Sequence, residues 1–145
     1  MSTGETTVAY VRTKMDSTHT GADRGFINDK FWLLVPFQLV WDTSATISEA
    51  KKVKAPISKE ELNVITITYS DEGGYTPSDA YDIYFHHTYL SKEWVFGKGN
   101  TEKPSLTTTF ENYKVYNGIK IVTDHKMVGT NWNLNFTDVN ITLDK

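Results

Sequence analysis

The stretch LNVITITY at residues 62–69 decides the fold class of this chain. Its large apolar side chains, Ile65, Ile67 and Tyr69, alternate with Thr66 and Thr68. A period of two is the pattern of a β-strand that turns one face to a core and the other to water. β-Branched and aromatic residues also favour strands. The stretch therefore predicts a half-buried strand.

The same alternation recurs through the C-terminal half, in residues 81–86, 90–96, 106–116, 119–128 and 132–143. An Asn-Gly pair separates the third of these segments from the fourth, and Asn-Gly between alternating runs predicts a type I′ hairpin. In the last segment the apolar parity changes, which predicts a β-bulge at residues 137–138 that brings all its apolar side chains to one face. At least six strands joined by short turns predict an antiparallel meander.

The N-terminal third has a mixed pattern. Residues 6–14 predict a strand, and the turn-rich residues 16–25 predict a loop. The sequence FWLLVPFQLVW at residues 31–41 is apolar on all sides, which indicates burial. A short helix is expected to begin at an N-cap at Asn28 or Asp29 and to run through Leu34.

Proline is expected to limit this helix. Pro36 removes a backbone donor and disfavours a helical residue before it, so it should end or kink the helix. Residues 37–41 then continue either as another helical turn or as a strand. Further along, residues 48–55 alternate weakly and carry Lys51, Lys52 and Lys54. Lysines are typical of an edge strand that is protected against pairing with other chains.

Length and composition exclude several classes of protein. The 145 residues suit a single domain, with hydrophobic content of 39% and aromatic content of 13%. There is no cysteine, which excludes disulfides and thiolate chemistry. The formal charge of −3 and the absence of a basic cluster argue against nucleic-acid binding. The N-terminus lacks a secretory signal, so either the protein stays in the cytoplasm or a leader has been removed. The tract at residues 31–41 is too short for a transmembrane segment.

Four segments together resemble one known group of proteins. They are FWLLVPFQLVWD at residues 31–42, YDIYF at 81–85, FENYKVYNGIKI at 110–121 and FTDVNITL at 136–143. In this combination the chain, over about residues 26–143, resembles the lipoprotein-localisation-factor-like superfamily. That group contains outer-membrane lipoprotein carriers and uncharacterised bacterial relatives.

The resemblance implies a fold, a ligand class and a compartment. It implies a mainly β (α+β) fold, in which a strongly curved antiparallel sheet forms a half barrel and one or two short helices pack on its concave face. In the carriers the concave side is an apolar cavity for acyl chains, and no residue is catalytic. The group acts in the periplasm or cell envelope. This chain is shorter than the usual family domain, so residues 1–145 are either one domain or the C-terminal part of a longer one.

Alternation and resemblance together predict which side chains line such a cavity. The predicted lining is Trp32, Phe37, Trp41, Ile83, Phe85, Trp94, Phe96, Leu134 and Phe136. Alternation alone shows only that the strand residues of this set share a face. The apolar tract could equally be a core helix on the sheet. Lys92 shares the sequence parity of Trp94, so on the inner face it would have to reach the rim along its stem.

Catalytic and metal motifs are missing from the sequence. His86 and His87 are neighbours, and neighbours on a strand point to opposite faces, so turn histidines are expected. The acidic residues around Gly73 and Gly74 do not have the spacing of a calcium-binding EF-hand loop and indicate a solvated turn. These residues are Asp71, Glu72, Asp79 and Asp82. No nucleophile elbow, P-loop or dinucleotide fingerprint occurs, so neither catalysis nor a cofactor is predicted.

Two functions from different classes remain in view, and an enzyme whose catalytic residues meet only in three dimensions stays open as a third class. The first is a non-enzymatic envelope protein that binds a lipid or other apolar ligand in a half-barrel cavity. The second is a structural or protein-interaction β module that meets a partner through the sheet edge near residues 48–55.

Overall fold

The chain is mainly β and forms two compact units, residues 1–32 and residues 33–145. The computed structural model describes residues 2–3, 6–7, 9, 11, 14–71 and 76–143. In the first unit, β1 (Ser2–Thr3) pairs antiparallel with β2 (Thr6–Thr7). Of the strand predicted over residues 6–14, residues 6–7 form β2, residues 9, 11 and 14 are not in a strand, and residues 8, 10, 12 and 13 lie outside the described part.

The helix α1 (Ser17–Gln38) begins much earlier than the sequence suggests. Asp16 caps it, because its Oδ1 accepts the backbone N–H of His19 at 2.8 Å. The predicted loop at residues 16–25 and the predicted N-cap at Asn28 or Asp29 are therefore wrong. Helix nucleation is costly but happens once, so a capped helix can extend through the two glycines of this stretch at about 1 kcal/mol each.

The helix ends close to its proline, as predicted. Pro36 lies in the last turn, and α1 stops at Gln38. The chain then tightens into a turn in which Val40 N–H donates to the Phe37 carbonyl at 3.2 Å and Trp41 N–H donates to that of Gln38 at 3.1 Å. Pro36 has no N–H to donate, so the helix lacks one backbone hydrogen bond at this position. The missing bond is in the last turn, where the helix ends in any case.

The second unit is built on a six-stranded antiparallel sheet. Its strands are β3 (Ala45–Ile47), β4 (Lys51–Lys54), β5 (Glu61–Tyr69), β6 (Ala80–Phe85), β7 (Ser91–Gly97) and β8 (Leu106–Thr109). The spatial order is β3-β5-β6-β7-β8, with β4 also beside β5. Strands β5 to β8 follow one another as hairpins, which confirms the antiparallel meander. The sheet is open and not strongly curled.

β3 and β4 form one edge of this sheet, interrupted by a bulge. Residues 48–50 of the edge lie opposite residues 65–66 of β5, so the edge carries one extra residue. Ser48 closes the gap, since its hydroxyl accepts the backbone N–H of Thr66 at 2.9 Å. The lysine-rich edge predicted over residues 48–55 is confirmed.

A second bulge lies between β6 and β7. The register shifts between Tyr84 and Phe85, and Lys92 is the residue left over on β7. Its ammonium lies 3.4 Å from the carboxylate of Glu60. The bulge therefore breaks the sequence parity, and alternation no longer assigns the Lys92 side chain to the face that carries Trp94.

Beyond β8 the chain forms two separate hairpins instead of continuing the sheet. They consist of β9 (Lys114–Tyr116) with β10 (Ile119–Ile121) and β11 (Asp124–Lys126) with β12 (Asn133–Asn135). The single strands predicted over residues 106–116 and 119–128 are each broken, at residues 110–113 and 122–123. The break residues are held by tertiary bonds, such as the Thr123 hydroxyl to the Asn112 carbonyl at 2.7 Å.

Two local predictions near these hairpins have opposite outcomes. Asn117 (φ 47°) and Gly118 (φ 83°) both have positive φ and join β9 to β10 as the Asn-Gly pattern predicts. The long last strand over residues 132–143 is wrong, because β12 ends at Asn135. Asp138, inside the predicted bulge, takes the left-handed conformation (φ 55°), and no strand resumes after it in the described part of the chain.

Aromatic rings in contact fill one face of the sheet. Tyr81 stands between Trp94 and Phe96, with both ring-centroid distances 5.1 Å. Trp94 meets Phe110 at 6.0 Å, and Phe110 meets the buried His125 at 4.6 Å. Edge and offset contacts of this kind add to the free energy of burial. They make this face a packed core.

Candidate functional site

An apolar cleft of about 460 Å³ lies beside the packed face, within the second unit. Three segments that are far apart in the sequence form it: the last turns of α1, the β6–β7 turn, and the β9–β10 hairpin with the residues that flank it. Its described lining is Leu33, Pro36, Phe37, Tyr89, Leu90, Ser91, Tyr113, Gly118, Ile119, Lys120 and Val122. We refer to it as the apolar cleft.

The end of α1 supplies one apolar wall. Leu33, Pro36 and Phe37 line the cleft, and Phe37 is 39% exposed. Leu33 and Phe37 are four residues apart and so lie on one side of the helix. Pro36 adds a rigid apolar ring at the point where the helix stops.

The β6–β7 turn places a strained aromatic residue at the cleft. Tyr89 has φ 63°, a left-handed conformation that a bulky residue rarely adopts. The turn is held by Tyr89 N–H to the His86 carbonyl (2.8 Å) and His86 N–H to the Leu90 carbonyl (3.0 Å). Tyr89 is 84% exposed, and its ring stacks on Phe85. Such strain is often found at sites that hold a ligand.

The chain segment around β9 and β10 closes the opposite side. The Tyr113 hydroxyl donates to the Ser91 carbonyl at 2.7 Å and ties this segment to the start of β7. Burial raises the pKa of Tyr113 to about 12, so the hydroxyl stays protonated and keeps donating at neutral pH. Ile119 and Val122 present aliphatic side chains, and Lys120 is the one charged residue of the described lining.

A neighbouring cavity of about 420 Å³ shares Leu90, Ser91 and Tyr113 with the apolar cleft. Its lining includes two charged residues, Lys92 and Glu111. Lys126 donates to the Glu111 carboxylate at 2.6 Å, and this bond holds the pKa of Glu111 below its usual value. A positively charged residue, Lys92, and a negatively charged one, Glu111, thus lie next to the apolar cleft.

The structure separates the nine side chains that the sequence groups as a cavity lining. Ile83, Phe85, Trp94 and Phe96 share a face of β6 and β7, and Trp94 and Phe96 belong to the packed aromatic face. Trp32 is buried in the part of α1 that belongs to the first unit. Trp41 follows α1, Leu134 lies on β12 and Phe136 lies just after it. Of the nine side chains, Phe37 lines the apolar cleft.

Sequence reasoning missed most of the cleft. Tyr89 and Leu90 lie in and just after the β6–β7 turn, and Tyr113 and Val122 lie in breaks of strands that alternation predicts to be continuous. The Asn-Gly hairpin and the His-His turn were visible as loops, but nothing local indicates that they meet. Tertiary bonds bring the two together, among them that of the Tyr113 hydroxyl to the Ser91 carbonyl.

The titratable clusters noted in the sequence have structural partners. The rings of His86 and His87 lie in the β6–β7 turn with centroids 3.8 Å apart. Asp71 accepts the Ser78 hydroxyl, Asp79 the N–H of Gly99, and Asp82 the Thr66 hydroxyl. Glu72 lies outside the described residues. Within the described ranges, no group of three or more metal-ligating side chains is placed to hold an ion.

No protein-family model, curated protein or solved structure matches this chain. Among the described residues, no helix has the length and apolar character needed to span a bilayer. The resemblance to lipoprotein carriers, and the half barrel it implies, therefore stay predictions.

Proposed function

We propose that the protein is a non-enzymatic binding protein for an apolar or amphipathic ligand, held in the apolar cleft. The observation that carries this proposal is the lining itself. Aliphatic and aromatic side chains from three segments converge on a space of about 460 Å³, a volume typical of small-molecule sites.

Burial of apolar surface would supply the binding free energy. Each Å² of apolar area removed from water contributes roughly 25 cal/mol, before the cost of immobilising the ligand. The ring of Tyr89 is mostly exposed at the cleft, so a ligand that covered it would gain further apolar contact. Preformed walls, tied together by the Tyr113–Ser91 bond, limit the cost of ordering the site.

The ligand class we propose is an acyl chain with an anionic head group. Lys120 is an exposed ammonium among apolar side chains, and it would attract a carboxylate or phosphate at the cleft. An acyl ligand is also what the resemblance to lipoprotein carriers implies. A place in the cell envelope belongs to the same proposal.

The sheet edge argues against the alternative function, a protein-interaction module. β4 exposes Lys51, Lys52 and Lys54, and the bulge at residues 48–50 interrupts its pairing pattern. Lysines and bulges are the features by which proteins prevent strand addition at an edge. An edge built this way does not favour β-augmentation by a partner.

The first experiment is native mass spectrometry of protein purified without detergent, followed by organic extraction. The proposal expects an acyl species at a fixed stoichiometry. The stripped protein is then titrated with a fluorescent fatty acid. Saturable binding to the unaltered protein is required, and its absence would sink the proposal.

Two variants locate the site. Ile119→Asp places a carboxylate in the cleft and should weaken fatty-acid binding by roughly tenfold or more. Val115→Asp is its control, because Val115 lies on the same hairpin, is 62% exposed and does not line the cleft. Tyr89→Gly removes the steric strain of a positive φ, so this variant should fold even if Ile119→Asp does not. It should also weaken binding, because it removes the aromatic ring from the cleft. Equal affinity in all variants would place the ligand elsewhere.

A further inference from the structure

The face of the sheet that carries Asp82 and Thr107 holds a second cavity of about 420 Å³, within the second unit. Thr66, Asp82, Val95 and Thr107 form one cross-strand row through β5, β6, β7 and β8. The alternate residues of β6 and β7, Ile83 and Trp94 among them, point to the aromatic face. We call this space the sheet-face cavity.

Small residues give the cavity its depth. Ala80 pairs with Gly97 in the row next to Asp82. A Cβ on Gly97 would lie 3.1 Å from the Thr101 carbonyl oxygen, so the glycine lets the following loop approach the sheet closely. Asn100, Thr101, Glu102 and Pro104 of this loop line one side of the cavity.

Hydrogen bonds hold that loop over the sheet. Asp79 accepts the N–H of Gly99 at 2.9 Å, and Ser105 accepts the N–H of Lys98 at 3.1 Å. The first bond ties the loop to the residue before β6, and the second ties the two ends of the loop to each other. Pro56 and the half-buried Tyr84 add apolar rings to the lining.

The floor is polar and has unused hydrogen-bonding capacity. The Thr66 hydroxyl donates to Asp82 Oδ1 at 2.5 Å, which fixes the carboxylate on the middle strand. Among the described residues, no hydrogen bond reaches Asp82 Oδ2. The Thr107 hydroxyl lies two strands away in the same row.

The charge of the lining decides between ligand classes. Asp82 and Glu102 are the charged residues of the described lining, and neither lysine nor arginine is among them. Phosphates, nucleotides and fatty acids would be repelled. A neutral polyhydroxylated molecule would instead find carboxylate, hydroxyl and amide partners beside a tyrosine ring.

We propose that the sheet-face cavity binds a neutral carbohydrate. A sugar ring has hydroxyl groups that donate to carboxylates and exchange bonds with threonines, and an apolar C–H face that packs on an aromatic ring. The cavity places Asp82, Thr107 and Tyr84 around one space. This site is separate from the apolar cleft and does not depend on the function proposed there.

The test is calorimetric titration of the full chain with neutral oligosaccharides at millimolar concentration. The panel is cellohexaose, chitohexaose, laminarihexaose, maltohexaose and mannohexaose, with spermine as a cationic probe. We expect saturable binding of at least one sugar, insensitive to salt because no ion pair is involved.

Two near-isosteric variants assign the binding to the cavity. Asp82→Asn and Thr107→Val should each weaken the sugar by roughly tenfold, since each removes a hydrogen-bonding partner and keeps the side-chain shape. Thr46→Val is the control, because Thr46 is exposed on β3 and outside the cavity. No binding across the panel, binding of spermine alone, or sugar binding unchanged in both variants would each overturn the proposal.

Discussion

At the scale of residues, single buried side chains hold loops and strands in place. Glu93 is the clearest polar case, because its carboxylate accepts the backbone N–H groups of Ile57 (2.7 Å) and Ser58 (2.8 Å). The side chain lies on the middle of β7 and is almost fully buried. Such a charge is tolerated in the interior because its oxygens are satisfied by donors. It fixes residues 56–58 against the sheet.

Among apolar residues, Trp94 offers the sharpest test of the core. It is 3% exposed and contacts the rings of Tyr81 and Phe110. Trp94→Ala should lower the free energy of unfolding by roughly 3–5 kcal/mol, because it leaves a cavity among aromatic rings. Urea denaturation measures the change. Trp41→Ala, the same substitution at a residue that is 57% exposed, should cost about 1 kcal/mol or less. Similar losses in both variants would contradict the placement of the core.

At the scale of elements, Asp42 joins the end of α1 to the sheet. It accepts Gln38 Nε2 at 2.9 Å and the backbone N–H and hydroxyl of Ser44. Burial raises the pKa of Asp42, but hydrogen bonds from Ser44, Gln38 and Tyr69 outweigh it, so the pKa lies below its usual value.

This shift predicts an acid-sensitive connection. Because the folded pKa is depressed, the stabilisation by Asp42 is complete above the unfolded value of 3.8 and is lost as the pH falls through the folded value. Asp42→Asn should cost roughly 1 kcal/mol at neutral pH and should lose less stability than the unaltered protein between about pH 5 and about pH 2. Asp138→Asn, at an exposed site, is the control. Parallel stability curves for Asp42→Asn and the unaltered protein would show that Asp42 has no such role.

At the scale of the whole molecule, the open sheet must avoid pairing with other copies. Replacing Lys51, Lys52 and Lys54 with threonine removes the charges and raises the β propensity of the edge. We expect the mass measured by light scattering to rise with protein concentration in this variant. Replacing Lys98, Lys103 and Lys114 with threonine changes the net charge equally and should not. If the two variants associate to the same extent, net charge and not the edge is responsible.

Local sequence patterns predict only part of the candidate site. Phe37 was recognised because a large apolar tract is visible in the sequence, and it does line the apolar cleft. Tyr89 and Tyr113 were not, because they lie in a turn and a strand break. The predicted partners of Phe37, such as Trp94, lie in a packed face.

The sequence by itself determined the features that depend on neighbouring residues. Alternation placed β5, β6 and β7, the Asn117-Gly118 pair set the β9–β10 turn, and the lysines marked the sheet edge. Side-chain period and φ preference act over a few residues, so they can be read locally.

The tertiary structure alone decided where strands break and where the cleft lies. The break at residues 110–113 is held by bonds from Thr123 and to Ser91, and the cleft joins Leu33 to Ile119. These contacts connect residues that are 11 positions apart (Asn112 and Thr123), 22 positions apart (Ser91 and Tyr113) or more. Their free energy depends on the surfaces that the fold brings together, and it can override local strand propensity. The alternation of side chains along one segment therefore does not predict these contacts.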